Sequence, residues 1–321
     1  MRAIPEVLHT GPFTRSRALE LGVSRHMFEG QRFVRIHPKV WRLNAYEMTD
    51  ADWILAAALG LPDDARLTGM TRIQQLGLDA GPHFPLRFVL ARDHHQRLDG
   101  VFLHRTKQLA PHDAYAVEPA GAFIAYCATA RTIEAIGVGD WLLHHGHLTL
   151  GQLRELALRD LWRLGAQEAL WISHHLDGLS RSLPESQLRA MITFSGLPAP
   201  IVNQPVRGAV QRVALADLEI RPPGLAIEYE GEQHQVDRDQ YLADLDRYAD
   251  LRRADQPYLQ VTKELLRRPR QLLGRIHREL VRLGYAGPAP DLATDRWHQL
   301  ICPLRAAVGD RGRRTVDVNE R

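Results

Sequence analysis

Asp217, Glu228 and Glu230 are the residues whose type and spacing invite chemistry. They lie in the stretch VALADLEIRPPGLAIEYEGEQH, residues 213–234, where two short apolar runs each end on carboxylates. Val213, Leu215, Leu225 and Ile227 favour strands and Pro222-Pro223-Gly224 favours a turn, so the stretch predicts a β-hairpin. Such a hairpin brings Asp217 and Glu228 onto one edge of a sheet. Two carboxylates held close raise each other's pKa unless a cation sits between them. Hard divalent ions take oxygen ligands, and Mg²⁺ uses one or two carboxylates together with substrate phosphate. The pair reads either as a cation site for phosphodiester chemistry or as ordinary solvated surface acids.

The elements that must position these acids follow from the flanking pattern. Ser182, or Pro184 in the first turn, opens a helix over PESQLRAMITFSG with Leu188, Met191, Ile192 and Phe194 on its apolar face. Glu185 in its first turn is either a helix-dipole carboxylate or a third acid for the ion. Residues 201–206 read as a strand, followed by the hairpin, His234, Asp237 and a helix from about 239 to 254. A strand at Tyr258 to Thr262 and a helix from Arg270 to Leu283 complete the unit. Helix, strands, helix, strand, helix describes an α/β sandwich on a mixed sheet. Charge segregates along it. From Glu228 to Asp250 acids outnumber Arg238 and Arg247, and from Arg252 to Arg282 bases outnumber acids. An acidic centre with a basic rim suits a metal nuclease; solvated helix faces give the same pattern.

Upstream, residues 12–43 read as a small winged helix-turn-helix. Thr14 caps a helix ending at Gly22, Ser24 caps a second one, and residues 33–43 form a two-stranded wing about Pro38-Lys39. Arg25, Arg32, Arg35, Lys39 and Arg42 are placed to meet phosphates; a packing module without DNA fits the same pattern. Residues 46–180 read as mostly helical with one short β-hairpin, Leu86 to Leu90 paired with Val101 to His104. Thr129 and Thr149 are the expected caps of two of its helices. His94, His95, His104 and His112 lack the spacing of a metal motif, and the HHGH run at His144 to His147 reads as a helix C-terminus. The expected divisions are 1–45, 46–180, 181–284 and a loosely docked or disordered tail at 285–321.

Whole-chain properties are permissive. The 321 residues are 45% hydrophobic and 25% charged, ordinary for a globular chain of two or three domains. A net charge of +3 does not by itself indicate nucleic acid. Lys39, Lys107 and Lys263 are the only lysines, so arginine carries the positive charge. Cys127 and Cys302 stand alone, which argues against a disulfide framework or thiolate zinc and fits a reducing cytoplasm. The first residues lack an apolar signal core, and no apolar run is long enough for a bilayer.

The succession LPESQLR, VALADLEI, AIEYEGEQH, a helix with Tyr241, Asp244 and Arg247, and YLQVT resembles the endonuclease-like domains related to very-short-patch repair endonucleases, within the PD-(D/E)xK superfamily. The match covers residues 182–283. Residues 1–180, including Thr129-Ala130-Arg131-Thr132, more loosely resemble AbiEi-type antitoxin proteins, in which such a module is often fused to the nuclease-like domain. These resemblances imply a metal-dependent DNA endonuclease using Mg²⁺ or Mn²⁺. Asp217 matches the first metal-binding acid, Glu228 the second and Glu185 the helical glutamate. Glu230 stands where the superfamily motif usually has lysine, and His234 matches the histidine linked to activating water. Arg247 is implied as a phosphate contact. No lysine occupies the motif, and Gln260 stands where arginine is frequent. The alternative implied is an antitoxin-type DNA-binding regulator with an inert nuclease-like domain and a cognate toxin as partner.

Overall fold

The computed structural model describes residues 4–203, 216–230 and 257–309. Among them are twelve α-helices and three small sheets, a mixed α/β architecture. The chain forms two compact units, Met1–Phe123 and Ile124–Arg321.

The first unit opens with β1 (Phe13–Thr14), α1 (Arg15–Glu20), β2 (Phe33–His37) and β3 (Val40–Leu43). The strands pair antiparallel in the order β1-β3-β2. Thr14 Oγ1 accepts the Arg17 amide at 3.2 Å, the cap the sequence predicts. Lys39 takes a left-handed φ of 71°, which lets the chain reverse between β2 and β3. Phe28 stacks on Phe33 at 4.9 Å and meets Trp41 at 5.0 Å, closing this small core. The second expected helix is a five-residue 3-10 helix, Arg25–Glu29, between Ser24 and Gly30.

α2 (Asp50–Gly60) follows, capped by Thr49 and Asp52 reciprocally, then β4 (Arg66–Leu67), α3 (Gly69–Gln75), β5 (Leu86–Leu90) and β6 (Val101–Arg105). The expected hairpin is corrected here: β5 and β6 run parallel. Residues 91–100 fold back instead of turning tightly. Leu98 buries in the core with Leu86 and Phe88, and Gln96 Nε2 donates to Gly60 O at 2.6 Å. The chain thus re-enters beside Leu86, whose amide bonds Gly100 O at 2.8 Å.

α4 (Pro119–Cys127) leads to α5 (Thr132–His144), α6 (Leu150–Arg159), α7 (Ala166–Ile172) and α8 (Leu183–Phe194). Thr149 caps α6 as the sequence predicts, accepting from the Gln152 amide at 3.1 Å. Thr129 does not cap α5. Its helix starts later, and Glu134 reaches back to the Arg131 amide at 3.2 Å. α5 and α8 are joined by a buried pair, Arg189 Nη2 to Asp140 Oδ2 at 2.8 Å.

β7 (Ile201–Val202), β8 (Leu218–Ile220), β9 (Leu225–Glu230) and β10 (Tyr258–Thr262) make the third sheet, in the order β10-β9-β8-β7. β10 is parallel to β9 and the other pairs are antiparallel, so the sheet is mixed. α9 (Lys263–Leu266) and α10 (Pro269–Arg282) follow. The described part of the expected tail is not loose. α11 (Asp295–Ile301) and α12 (Leu304–Val308) bury Trp297, Leu300 and Leu304, and Leu304 N donates to Ala130 O at 2.9 Å. Three large apolar side chains within eight positions sufficed to dock a stretch whose polar, Pro-Gly start hid the periodicity. No helix among the described residues is long and apolar enough to cross a membrane.

Candidate functional site

The hairpin at Asp217 forms because strand-favouring residues flank a turn that proline and glycine fix. Leu218 pairs with Ile227, Glu219 with Ala226 and Ile220 with Leu225, across residues 221–224. Gly224 supplies a φ of 96° there. Side chains alternate between sheet faces. Leu218, Ile220, Leu225, Ile227, Leu259 and Val261 fill one face and are buried. The acids take the other.

Continuing the register one step sets Asp217 opposite Glu228, on the face that also holds Glu219 and Glu230. Gln260 pairs with Glu228 from the parallel side, and Thr262 with Glu230. On the far side Asn203 N donates to Asp217 O at 3.0 Å. Asn203, Asp217, Glu228 and Gln260 therefore form a polar row across four strands. Asp217 is 8% exposed and Glu228 is fully buried at 0%, so neither is a solvated surface acid. Asp217 Oδ2 accepts the Tyr229 amide at 2.9 Å, a charge-assisted bond that pins the carboxylate against β9.

Glu185 joins this row through Asn203. Ser182 Oγ accepts the Glu185 amide at 3.3 Å and donates to Glu185 Oε1 at 2.9 Å, while Glu185 Oε2 accepts from Arg181 N at 3.0 Å. Ser182 thus caps α8, and the Glu185 carboxylate sits at the positive end of that helix. Asn203 Nδ2 donates to the same Oε2 at 3.2 Å and to Leu179 O at 2.6 Å. Asn203 holds a left-handed φ of 45°, uncommon outside glycine, so the backbone itself is shaped to make this bridge. Glu185 is thus both a helix cap and a neighbour of the acid row.

The donor chemistry fits a hard cation. Every polar atom named in the row that accepts is oxygen, and Asn203 Oδ1 is buried with no hydrogen-bond donor among the described residues. Among the described residues, no three His, Cys, Asp or Glu side chains are grouped to hold a metal ion. The site as folded therefore presents two buried acids and a neutral oxygen, with Glu185 committed to its cap. His234 and Arg247 lie outside the described residues.

Two residues of this face escaped the sequence reading. Asn203 follows a two-residue strand and offers no motif. Glu219 is 3% exposed and pairs with Arg221, which lifts that guanidinium above its ordinary pKa. Its alternation with Asp217 was the available signal.

In the first unit, Arg25, Arg32, Arg35 and Lys39 are all exposed. Arg42 Nη1 donates to the carbonyls of Leu43, Asn44 and Tyr46 at 2.9, 2.9 and 2.7 Å. It closes the turn after the wing. His104 is shifted below its ordinary pKa by burial and by Arg105, and His145 Nδ1 lies 2.9 Å from Trp141 O at the end of α5, as a helix C-terminus would have it.

Compared with protein-family models, with curated proteins and with solved structures, the chain matches none.

Proposed function

We propose that the protein is a metal-dependent DNA endonuclease with a restriction-endonuclease-like domain, brought to duplex DNA by an N-terminal winged helix-turn-helix. The observation that carries this reading is the pairing of Asp217 and Glu228 on one face of adjacent strands, both buried. Buried carboxylates side by side are costly unless a cation or proton intervenes. Asp217 and Glu228 hold the ion, and Asn203, tied to Glu185, fixes the edge of the site. When bound, Mg²⁺ or Mn²⁺ polarises the scissile phosphate and lowers the pKa of water. Glu230, at the end of β9 with an exposed side chain, or His234 accepts the proton of the attacking water. Arg247 offsets charge developing on the phosphate oxygens. Arg25, Arg32, Arg35 and Lys39 contact the duplex backbone.

A second reading is favoured by one observation. Both oxygens of Glu185 are engaged in the α8 cap, as they would be in a fold residue. On that reading the domain is inert and the protein is an antitoxin-type regulator that binds DNA and a cognate toxin. Plasmid DNA incubated with the protein and Mn²⁺ separates the two. The nuclease reading expects nicking that stops in Asp217→Ala and in EDTA. Equal background cleavage by both proteins, with protection of the gene's own promoter in footprinting, would favour the regulator.

A further inference from the structure

The stretch from α9 through α10 is strongly one-sided in charge. Residues 263–282 hold seven Lys and Arg against Glu264 and Glu279, a balance of +5 where the whole chain has +3. Arg275, Arg278 and Arg282 fall at i, i+3 and i+7, one stripe of α10, and Arg268 is the residue just before the helix begins. All four are exposed. At 1.5 Å per residue the row from Arg268 to Arg282 runs about 20 Å. Arg282 is paired with Glu279 at 2.9 Å. Among the described residues, Arg268, Arg275 and Arg278 have no carboxylate partner within ion-pair reach.

We infer that this arginine stripe is a docking track for the phosphodiester backbone of nucleic acid. The inference rests on the DNA-directed reading above and adds the surface that grips the strand. Guanidinium groups bind phosphate oxygens bidentately, which lysine cannot do. A regular row of cations about 20 Å long matches a regular row of phosphates rather than one small anion. A membrane is the other anionic surface that a basic amphipathic helix can meet. It requires the apolar face to enter the lipid. Here Leu272, Leu273, Ile276 and Leu280 are all 0% exposed, committed to the protein core. Val281, 50% exposed, is the one large apolar side chain that α10 offers outward, too little to enter lipid.

The test is binding of a random-sequence DNA duplex to the full chain in EDTA, across a salt series. The triple variant Arg268→Gln/Arg275→Gln/Arg278→Gln is compared with the parent and with the matching Arg→Lys triple. Losing three phosphate contacts should make the log K against log salt slope shallower by about 2 to 3. Affinity at low salt should fall at least tenfold, and the Lys triple should recover part of it. Unchanged affinity and slope would overturn the inference. So would an arginine-dependent gain in binding to phosphatidylserine vesicles with no effect on DNA. Because EDTA removes cleavage from the measurement, an inert nuclease site leaves this result standing, and an active one does not rescue it.

Discussion

Single residues decide how firmly the second unit is held, and its buried charges make the sharpest predictions. Asp140 is fully buried; burial pushes its carboxyl above the ordinary range, against the pull of Arg189 and of the Asp177 amide at 2.6 Å. Asp140→Ala strands Arg189 in the interior, so it should cost about 3–5 kcal/mol in urea unfolding. Asp140→Asn keeps the shape but only one of the two acceptors, since its NH2 group cannot accept, so it should recover only part of that loss. His175 lies between Trp171 and Phe194, with ring centroids at 4.6 and 5.0 Å. Burial, then Arg296 and Arg189, lower its pKa from 6.5 to about 4. The unfolded chain therefore takes up a proton near pH 6.5 that the folded chain refuses until about pH 4. Stability should be unaffected by this group above pH 6.5 and should decline as pH falls from there toward 4. His175→Phe should flatten that part of the profile in thermal melts across pH. The facing of Asp217 and Glu228 was legible from strand alternation about the turn, and the first-turn place of Glu185 from the Ser182 start. Asn203 was not, because its role comes from a left-handed backbone and three long-range bonds that spacing does not encode.

At the scale of elements, several caps and turns were readable, though Thr129 and Ser24 make no cap bond, and strand direction set by tertiary packing was not. Thr14, Thr149 and Ser182 cap the helices they were expected to cap, since a hydroxyl before an amphipathic run leaves little choice. Strand direction was not readable at β5 and β6. Two apolar runs across a polar loop look alike whether the loop turns or arches, and the outcome turned on the burial of Leu98. Ser182→Ala removes both bonds of the α8 cap and should cost about 1 kcal/mol, measured by urea midpoint. Gly165 makes a stronger case. Its φ is 92°, and a Cβ there would lie 1.9 Å from Ile124 O and 3.0 Å from Ala128 N. α7 starts where only glycine clears α4. Gly165→Ala should destabilise the second unit by about 3 kcal/mol or more, from strain and overpacking together.

For the whole molecule, the class of fold followed from the order of apolar runs, while the docking of its C-terminal part did not. A chain ended after Gly284 would uncover the sites filled by Trp297, Leu300 and Leu304 on α5, α7 and α8. Each such side chain stabilises by about 1.5–3 kcal/mol, so the shortened protein should unfold at markedly lower urea concentration. If its midpoint matches that of the full chain, α11 and α12 are ornaments. The acid row is the point on which the function depends, and a Mn²⁺ titration of the full chain followed by electron paramagnetic resonance addresses it most directly. The account predicts a saturable site in the parent protein, weakened at least tenfold in Asp217→Ala and in Glu228→Gln, both of which stay folded by circular dichroism. Equal Mn²⁺ uptake by all three proteins, or none by any, would contradict it.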